Sequence, residues 1–139
     1  MNKIPFASPA WVAALKEAIN TSSSYRESAK NWEGDFWFVV EPEHADASAE
    51  GERTLIYLDL WHGECRAARL AANEAEHAPE FRISGTARNW QRVVSKEIDP
   101  IRALMTNSLK LKGNLAKVMR NVRAAQDLVM CAASIPTEF

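Results

Sequence analysis

The stretch that decides the fold starts at residue 81 with Phe-Arg-Ile-Ser-Gly-Thr-Ala-Arg-Asn-Trp and ends at residues 113–114 with Gly-Asn. Gly85 and Thr86 end a short strand, and Thr86 is a candidate N-cap for the helix that follows. Asp99-Pro100 starts a second helix, because proline suits the first helical position, where its missing amide hydrogen has no partner anyway. Leu109-Lys-Leu-Lys then alternates like a strand. The stretch predicts strand, helix, helix, strand and the start of a final helix at residue 114.

The N-terminal half supplies two helices and three further strands. Ser8-Pro9 predicts the start of one helix, and Ser24 with Glu27 could form a capping box for a second that ends near Trp32. Aromatic and β-branched residues predict strands at 35–41, 54–61 and 65–71, and tight connections favour antiparallel pairing. Residues 43–52 hold no large apolar group, which is typical of a solvated loop.

These elements predict one α+β domain spanning residues 1–139, a length that suits a single core. We expect a five-stranded, mainly antiparallel sheet with strands at 35–41, 54–61, 65–71, 81–84 and 108–112. The helices of residues 86–106 and 114–131 should pack on one face. Apolar stripes on such helices usually fill a closed core, since protein interiors pack with few voids.

Composition excludes several classes of protein. The 47% hydrophobic and 25% charged content is that of a soluble globule, and no apolar run reaches the roughly 18 residues of a membrane span. Cys65 and Cys131 are far apart and the N-terminus lacks a secretory pattern, so we expect a cytoplasmic protein. The 5 glycines form no phosphate-binding loop, which disfavours a nucleotide-binding enzyme, and no cofactor is expected.

Charge is distributed unevenly along the chain. Residues 1–80 carry a net charge of −7 and residues 81–139 a net charge of +6, although the whole chain is near neutral at −1. The two halves could neutralise each other in the fold or form a basic face for an anionic surface. Nucleic acid is disfavoured as a partner, because the aromatic residues follow the apolar stripes and not the basic residues.

Two polar clusters invite a catalytic or metal-binding interpretation. The first surrounds one turn and consists of Asp59, His62, Glu64 and Cys65. Polar residues at a turn usually meet water, so a solvated turn is favoured over a catalytic site. His44, Asp46, His62 and His77 lack the spacing that prearranges metal ligands, so no metal site is expected.

The order of segments over residues 35–128 resembles the sterol carrier protein type of lipid-binding domain. The similarity rests on the Asp99-Pro100 helix start, on Lys110-Leu-Lys-Gly-Asn and on the hairpin Leu58-Asp-Leu-Trp-His-Gly. Residues 1–34 would add N-terminal helices. Trp90 stands where a Phe is common in that family and could shorten the cavity.

The resemblance implies an apolar cavity between the sheet and the helices, which reverses the preference for a closed core. It implies a non-catalytic carrier of a fatty acyl, isoprenoid or sterol-like lipid, with transient contact to an anionic membrane surface. An accessory protein that presents a lipophilic intermediate to a biosynthetic enzyme is the main alternative, and a small enzyme is the third. The candidate ligand-binding residues are Phe38, Leu58, Trp90, Val94, Ile101, Leu104, Met105, Leu109, Met119 and Val122.

Overall fold

Two helices precede the sheet in the structure, a computed structural model that describes residues 3–43 and 53–139. Helix α1 (Pro9–Thr21) begins as predicted, and the Ser8 hydroxyl accepts a hydrogen bond from the amide of Trp11 at 3.2 Å. Helix α2 (Ser23–Ser28) is capped by Ser22, so the prediction that Ser24 caps it is wrong. The chain is extended at Ser22, and this frees its hydroxyl to accept from Tyr25. All but the first residue of the predicted 43–52 loop lies outside the described residues.

The sheet has five strands, which are β2 (Glu33–Glu41), β3 (Thr54–Trp61), β4 (Glu64–Ala71), β5 (Phe81–Thr86) and β6 (Lys110–Lys112). Their order across the sheet is β4-β3-β2-β5-β6. A separate two-stranded pair joins β1 (Ile4–Pro5) in parallel to β7 (Thr137–Glu138), near the two ends of the described chain. The mainly antiparallel α+β sheet is thus confirmed, with one exception at its centre.

The exception is the pairing of β2 with β5, which is parallel. Strands β2, β3 and β4 alternate in direction, so the chain leaves β4 at the end of the sheet opposite to the one where β5 begins. Residues 72–80, which include a 3-10 turn at Glu74–Glu76, cross the outer face of the sheet to reach that start. The parallel pairing follows from this crossing.

The crossing segment also explains an apolar layer on the outer face. Trp37, Val39, Leu55 and Tyr57 form a buried cluster there. The imidazole of His77 stacks on the Tyr57 ring with the centroids 3.8 Å apart, and the backbone amide of Glu80 donates to Asp35 at 2.8 Å. Because both faces of β2 are buried, its sequence is continuously apolar and shows no strict alternation.

The inner face of the sheet meets the helices. Helices α3 (Ala87–Val94) and α4 (Pro100–Met105) follow β5, and α5 (Leu115–Met119) and α6 (Val122–Ala133) follow β6. The caps at Thr86, Asp99 and Asn114 are confirmed, each side chain accepting from a first-turn amide. The predicted continuous helix of 114–131 is wrong, because the chain breaks at Arg120-Asn121, where Asn121 leaves the helical conformation.

Candidate functional site

An apolar cavity of about 90 Å³ lies between the inner face of the sheet and helices α2 to α6. Aromatic rings from β2 and from the segment before it form its floor. The ring centroid of Phe36 lies 5.8 Å from that of Trp32 and 5.3 Å from that of Phe38. The remaining lining residues are Tyr25, Leu60, Ile83, Trp90, Val93, Pro100, Ile101, Leu104, Leu109, Val118, Asn121, Ala124, Ala125, Leu128 and Val129.

A second apolar cavity of about 60 Å³ lies beside the first, toward α1. Trp11 and Leu15 of α1 contribute to its wall. The residues common to both linings are Phe38, Trp90, Val93, Leu128 and Val129, so these side chains form the partition between the two cavities.

Trp90 is the largest member of that partition. Its ring centroid lies 5.4 Å from that of Phe38, and its indole nitrogen donates to the carbonyl oxygen of Val39 at 2.9 Å. This hydrogen bond fixes the indole on the sheet and satisfies its polar atom. The indole therefore divides the apolar space into two small volumes.

Six of the ten predicted ligand-binding residues line these cavities. Phe38 and Trp90 line both, Val94 lines the second, and the other three line the first: Ile101, Leu104 and Leu109. Whether they contact a ligand stays a prediction.

The other four predicted residues lie elsewhere in the structure. Leu58 is fully buried in the core, Met105 is 64% exposed and Met119 is 39% exposed. Val122 is half-buried beside the helix break. The break at Asn121 changes the helical phase, so the face of α5 that turns inward is that of Val118 and not that of Met119. In α4, Ile101 and Leu104 line the cavity, whereas Met105, the last residue of the helix, is exposed.

Sequence reasoning missed several lining residues. Val118, Leu128 and Val129 belong to the apolar stripe that the sequence already shows. Knowing where the helix breaks would have identified them as the members of that stripe that face the cavity. Tyr25 and Asn121 had no such signal, because a lone Tyr or Asn in a short helix or turn is ordinarily a surface residue. Only the packing of α2 against α6 brings them to the cavity.

The polar turn lies outside both cavities. The His62 ring bridges the carbonyl oxygen of Lys30 at 2.8 Å and the Glu33 carboxylate at 2.6 Å, and Arg66 forms two 3.1 Å hydrogen bonds to Asp59. Burial raises the pKa of the Cys65 thiol to about 11, which keeps it protonated and a poor nucleophile at neutral pH. These contacts join the turn to the segment after α2 and to β2, and they join β3 to β4.

Groups able to hold a metal ion are absent from residues 3–43 and 53–139. His44 and Asp46, which the metal-binding interpretation would require, lie outside these residues. Within the same part of the chain, no helix has both the length and the apolar character that crossing a bilayer requires.

A family model described as the SCP-2 sterol transfer family matches residues 13–126. The chain belongs to the SCP-2 sterol transfer family. Membership implies lipid binding or transfer, and SCP-2 domains are generally non-catalytic lipid-binding domains.

Solved structures of SCP-2 proteins have the same fold. A crystal structure of sterol carrier protein 2 is 34% identical with a TM-score of 0.82, and the match covers 94% of this chain and 98% of the other. A solution structure of a conserved hypothetical protein from Thermus thermophilus, described as a possible sterol carrier protein, is 32% identical with a TM-score of 0.82. That match covers 99% of this chain and 94% of the Thermus chain.

A mouse (Mus musculus) protein, stomatin-like protein 1, is also similar in part. It is 33% identical over 70 residues, which are 50% of this chain and 17% of the mouse protein. The chain thus spans about one sixth of that relative's length.

Proposed function

We propose that this protein is a non-catalytic carrier that encloses one long apolar lipid, of the fatty acyl, isoprenoid or sterol-like class, between its sheet and helices α3 to α6. The apolar cavity beside Trp90 carries this proposal, and family membership supports it. Each methylene group moved from water into such a cavity contributes about 0.8 kcal/mol, so a long chain gains high affinity without any ionic contact.

The cavity must widen to hold such a ligand. An apolar cavity of about 150 Å³ holds one benzene molecule, and sites for larger ligands measure about 300–1,000 Å³. The two cavities, at about 90 and 60 Å³, are smaller. Helices α4 and α5 have only six and five residues, so moving them disturbs few backbone hydrogen bonds. We expect lipid to enter by displacing these two helices from the sheet.

The outer faces of the same two helices suit a lipid surface. Met105, Leu115 and Met119 are large apolar side chains exposed there. Arg102 and Arg120 are exposed beside them and form no ion pair with the carboxylates of residues 3–43 and 53–139. Exposed apolar groups next to arginines favour transient contact with an anionic membrane, and a lipid released by movement of α4 and α5 would leave the cavity on the side that these helices cover.

The accessory role remains a prediction that uses the same cavity. It differs from the carrier role in requiring a stable complex with a biosynthetic enzyme, which a pull-down would detect. The enzyme alternative has less support, since Asp59 and His62 are engaged at the polar turn and Glu64 is exposed there.

The test compares two adjacent residues of α4, of which Leu104 lines the cavity and Met105 is exposed. Leu104→Glu places a carboxylate without a partner in the apolar cavity and should abolish displacement of a fluorescent fatty acid. Met105→Glu adds the same charge at a 64% exposed position and should leave that displacement nearly unchanged. Circular dichroism confirms that both variants fold. Equal binding by the folded Leu104→Glu variant and the wild type would refute the carrier proposal.

A further inference from the structure

Helix α5 is attached to the rest of the protein mainly by two of its five side chains. Val118 is 6% exposed and lines the first cavity, and Lys117 is half-buried. The other three residues of the helix are exposed: Leu115, Ala116 and Met119. The position of α5 therefore depends on one apolar contact and one lysine.

The ammonium group of Lys117 bridges α5 to the starts of two strands. Its Nζ donates to the carbonyl oxygen of Glu33 at 2.5 Å and to the carboxylate of Glu80 at 2.8 Å. Glu33 is the first residue of β2, and Glu80 directly precedes β5. Because β2 and β5 run parallel, both strands start at the same end of the sheet, where one lysine reaches both.

The same ammonium group lies over aromatic rings at this end of the sheet. Its Nζ is 5.0 Å from the ring centroid of Trp32 and 5.5 Å from that of Phe81. A cation over an aromatic face is attracted to it, which adds to the two hydrogen bonds. Since Trp32 lines the first cavity, Lys117 fastens α5 to part of the cavity wall.

The chain on either side of α5 is not helical. Gly113 has a φ of +134°, and Asn121 leaves the helical conformation. The neighbouring helix α4 is held more deeply, because its Ala103 is fully buried and the Ala103 carbonyl oxygen accepts from the amide of buried Leu109 at 3.1 Å. Of the two short helices over the cavity, α5 is thus held by fewer buried contacts.

We infer that Lys117 is a latch that holds α5 closed over the first cavity, and that release of its ammonium group from the starts of β2 and β5 controls the rate at which lipid enters. This inference rests on the proposed function and names the residue that controls exchange at that site. The contacts of Lys117 stabilise the closed arrangement, so weakening them should increase the fraction of molecules in which α5 is open.

The first experiment measures the association rate of dansylundecanoic acid by stopped-flow fluorescence. Lys117→Met removes the ammonium group but keeps a long unbranched side chain, and it should raise this rate about three- to tenfold, the size expected for the loss of one hydrogen bond. Lys117→Arg keeps a cation within reach of Glu80 and should bring the rate most of the way back to that of the wild type. Lys110→Met is the matched control, because Lys110 is exposed on β6 and forms no ion pair or side-chain hydrogen bond with residues 3–43 and 53–139. That variant should leave the rate unchanged.

The second experiment measures amide hydrogen exchange without any lipid. The amides of Arg120 and Asn121 donate to the carbonyl oxygens of Ala116 and Val118, so they report on whether α5 is intact. In Lys117→Met these two amides should exchange faster by a factor similar to the gain in association rate, while the amides of β3 exchange as in the wild type. This comparison separates release of α5 from a general loss of stability.

Three results would overturn the inference while leaving the carrier proposal intact. They are an association rate of Lys117→Met equal to that of the wild type, an equal acceleration by Lys110→Met, and faster exchange that extends through the sheet. If neither the wild type nor any variant binds dansylundecanoic acid or the neutral dye Nile red, the carrier proposal fails and this inference fails with it.

Discussion

Replacing Trp90 by alanine should join the two apolar cavities and change which ligands the protein accepts. The indole lies in the walls of both cavities, and its removal connects volumes of about 90 and 60 Å³ through the space that it vacates. Bulky polycyclic lipids should gain affinity relative to linear chains, because the partition is what limits the width of the apolar space.

The cost in stability can be worked from the same geometry. If the vacated space is on the order of 100 Å³, a coefficient of about 24 cal/mol per Å³ gives about 2.4 kcal/mol for the cavity alone. The lost burial of the indole and its hydrogen bond to Val39 add to this, so the free energy of unfolding should fall by about 3–5 kcal/mol, the usual range for Trp→Ala. Trp90→Phe keeps an aromatic partition and should lose much less, about 1 kcal/mol for the hydrogen bond plus the smaller ring.

Urea unfolding followed by circular dichroism measures the stability change. Competition between a fluorescent sterol and a fluorescent linear fatty acid measures the preference, which should shift toward the sterol by about tenfold, or 1.4 kcal/mol, in Trp90→Ala relative to Trp90→Phe. The reasoning fails if the two variants show the same preference, or if Trp90→Ala unfolds as late as the wild type.

Three further expectations concern the polar turn and the buried titratable groups. Three alanine variants at the polar turn should keep both the fold and lipid displacement: Asp59→Ala, His62→Ala and Glu64→Ala. A loss of lipid binding in any variant that still folds would favour the enzyme alternative. Stability should fall as the pH rises from about 9 to about 12, because burial raises the pKa of Cys65 from 9.0 to about 11, and burial with the Asp35 hydrogen bond raises the pKa of Tyr57 from 10.0 to about 12. The folded state binds these two protons more tightly than the unfolded state, so their contribution to the free energy of unfolding is complete below pH 9 and is lost above the folded pKa values. A free energy of unfolding that does not change between pH 9 and pH 12 would contradict these pKa shifts. Gly63→Ala should lower the free energy of unfolding, measured in urea, by more than about 1 kcal/mol. Gly63 has a φ of +82°, and an added Cβ would lie 2.8 Å from the backbone of Arg26. An unchanged urea midpoint would show that the turn relaxes freely.

Local signals in the sequence determined where most elements begin. The caps at Ser8, Thr86, Asp99 and Asn114 depend only on a side chain and the amides two or three residues after it, so they can be identified without tertiary information. The family motifs likewise lie in contiguous turns, and they identified the fold that the structure shows. The single-domain boundary and the ligand-binding residues stay predictions.

Tertiary structure decided the direction of β5 and the faces of the helices. β5 runs parallel to β2 because residues 72–80 return along the sheet from the end of β4 to its opposite end. That path is stabilised by the packing of His77 on Trp37 and Tyr57, which lie about 20 to 40 residues away in sequence. The cavity wall depends in the same way on the break at Asn121, which the apolar stripe of 115–129 does not mark.

The sequence predicted only some of the residues that line the cavity, and the reason is physical. A helical stripe narrows the candidates to one side of a helix, but it does not separate Leu104 in the wall from Met105 on the surface. Nor does it bring Tyr25 of α2 against α6. The sequence by itself determined that the C-terminal helices present an apolar face to the sheet. The rotation of each helix about its axis is set by packing between elements distant in the chain, because side-chain contacts across the core, and not local backbone preferences, fix that rotation.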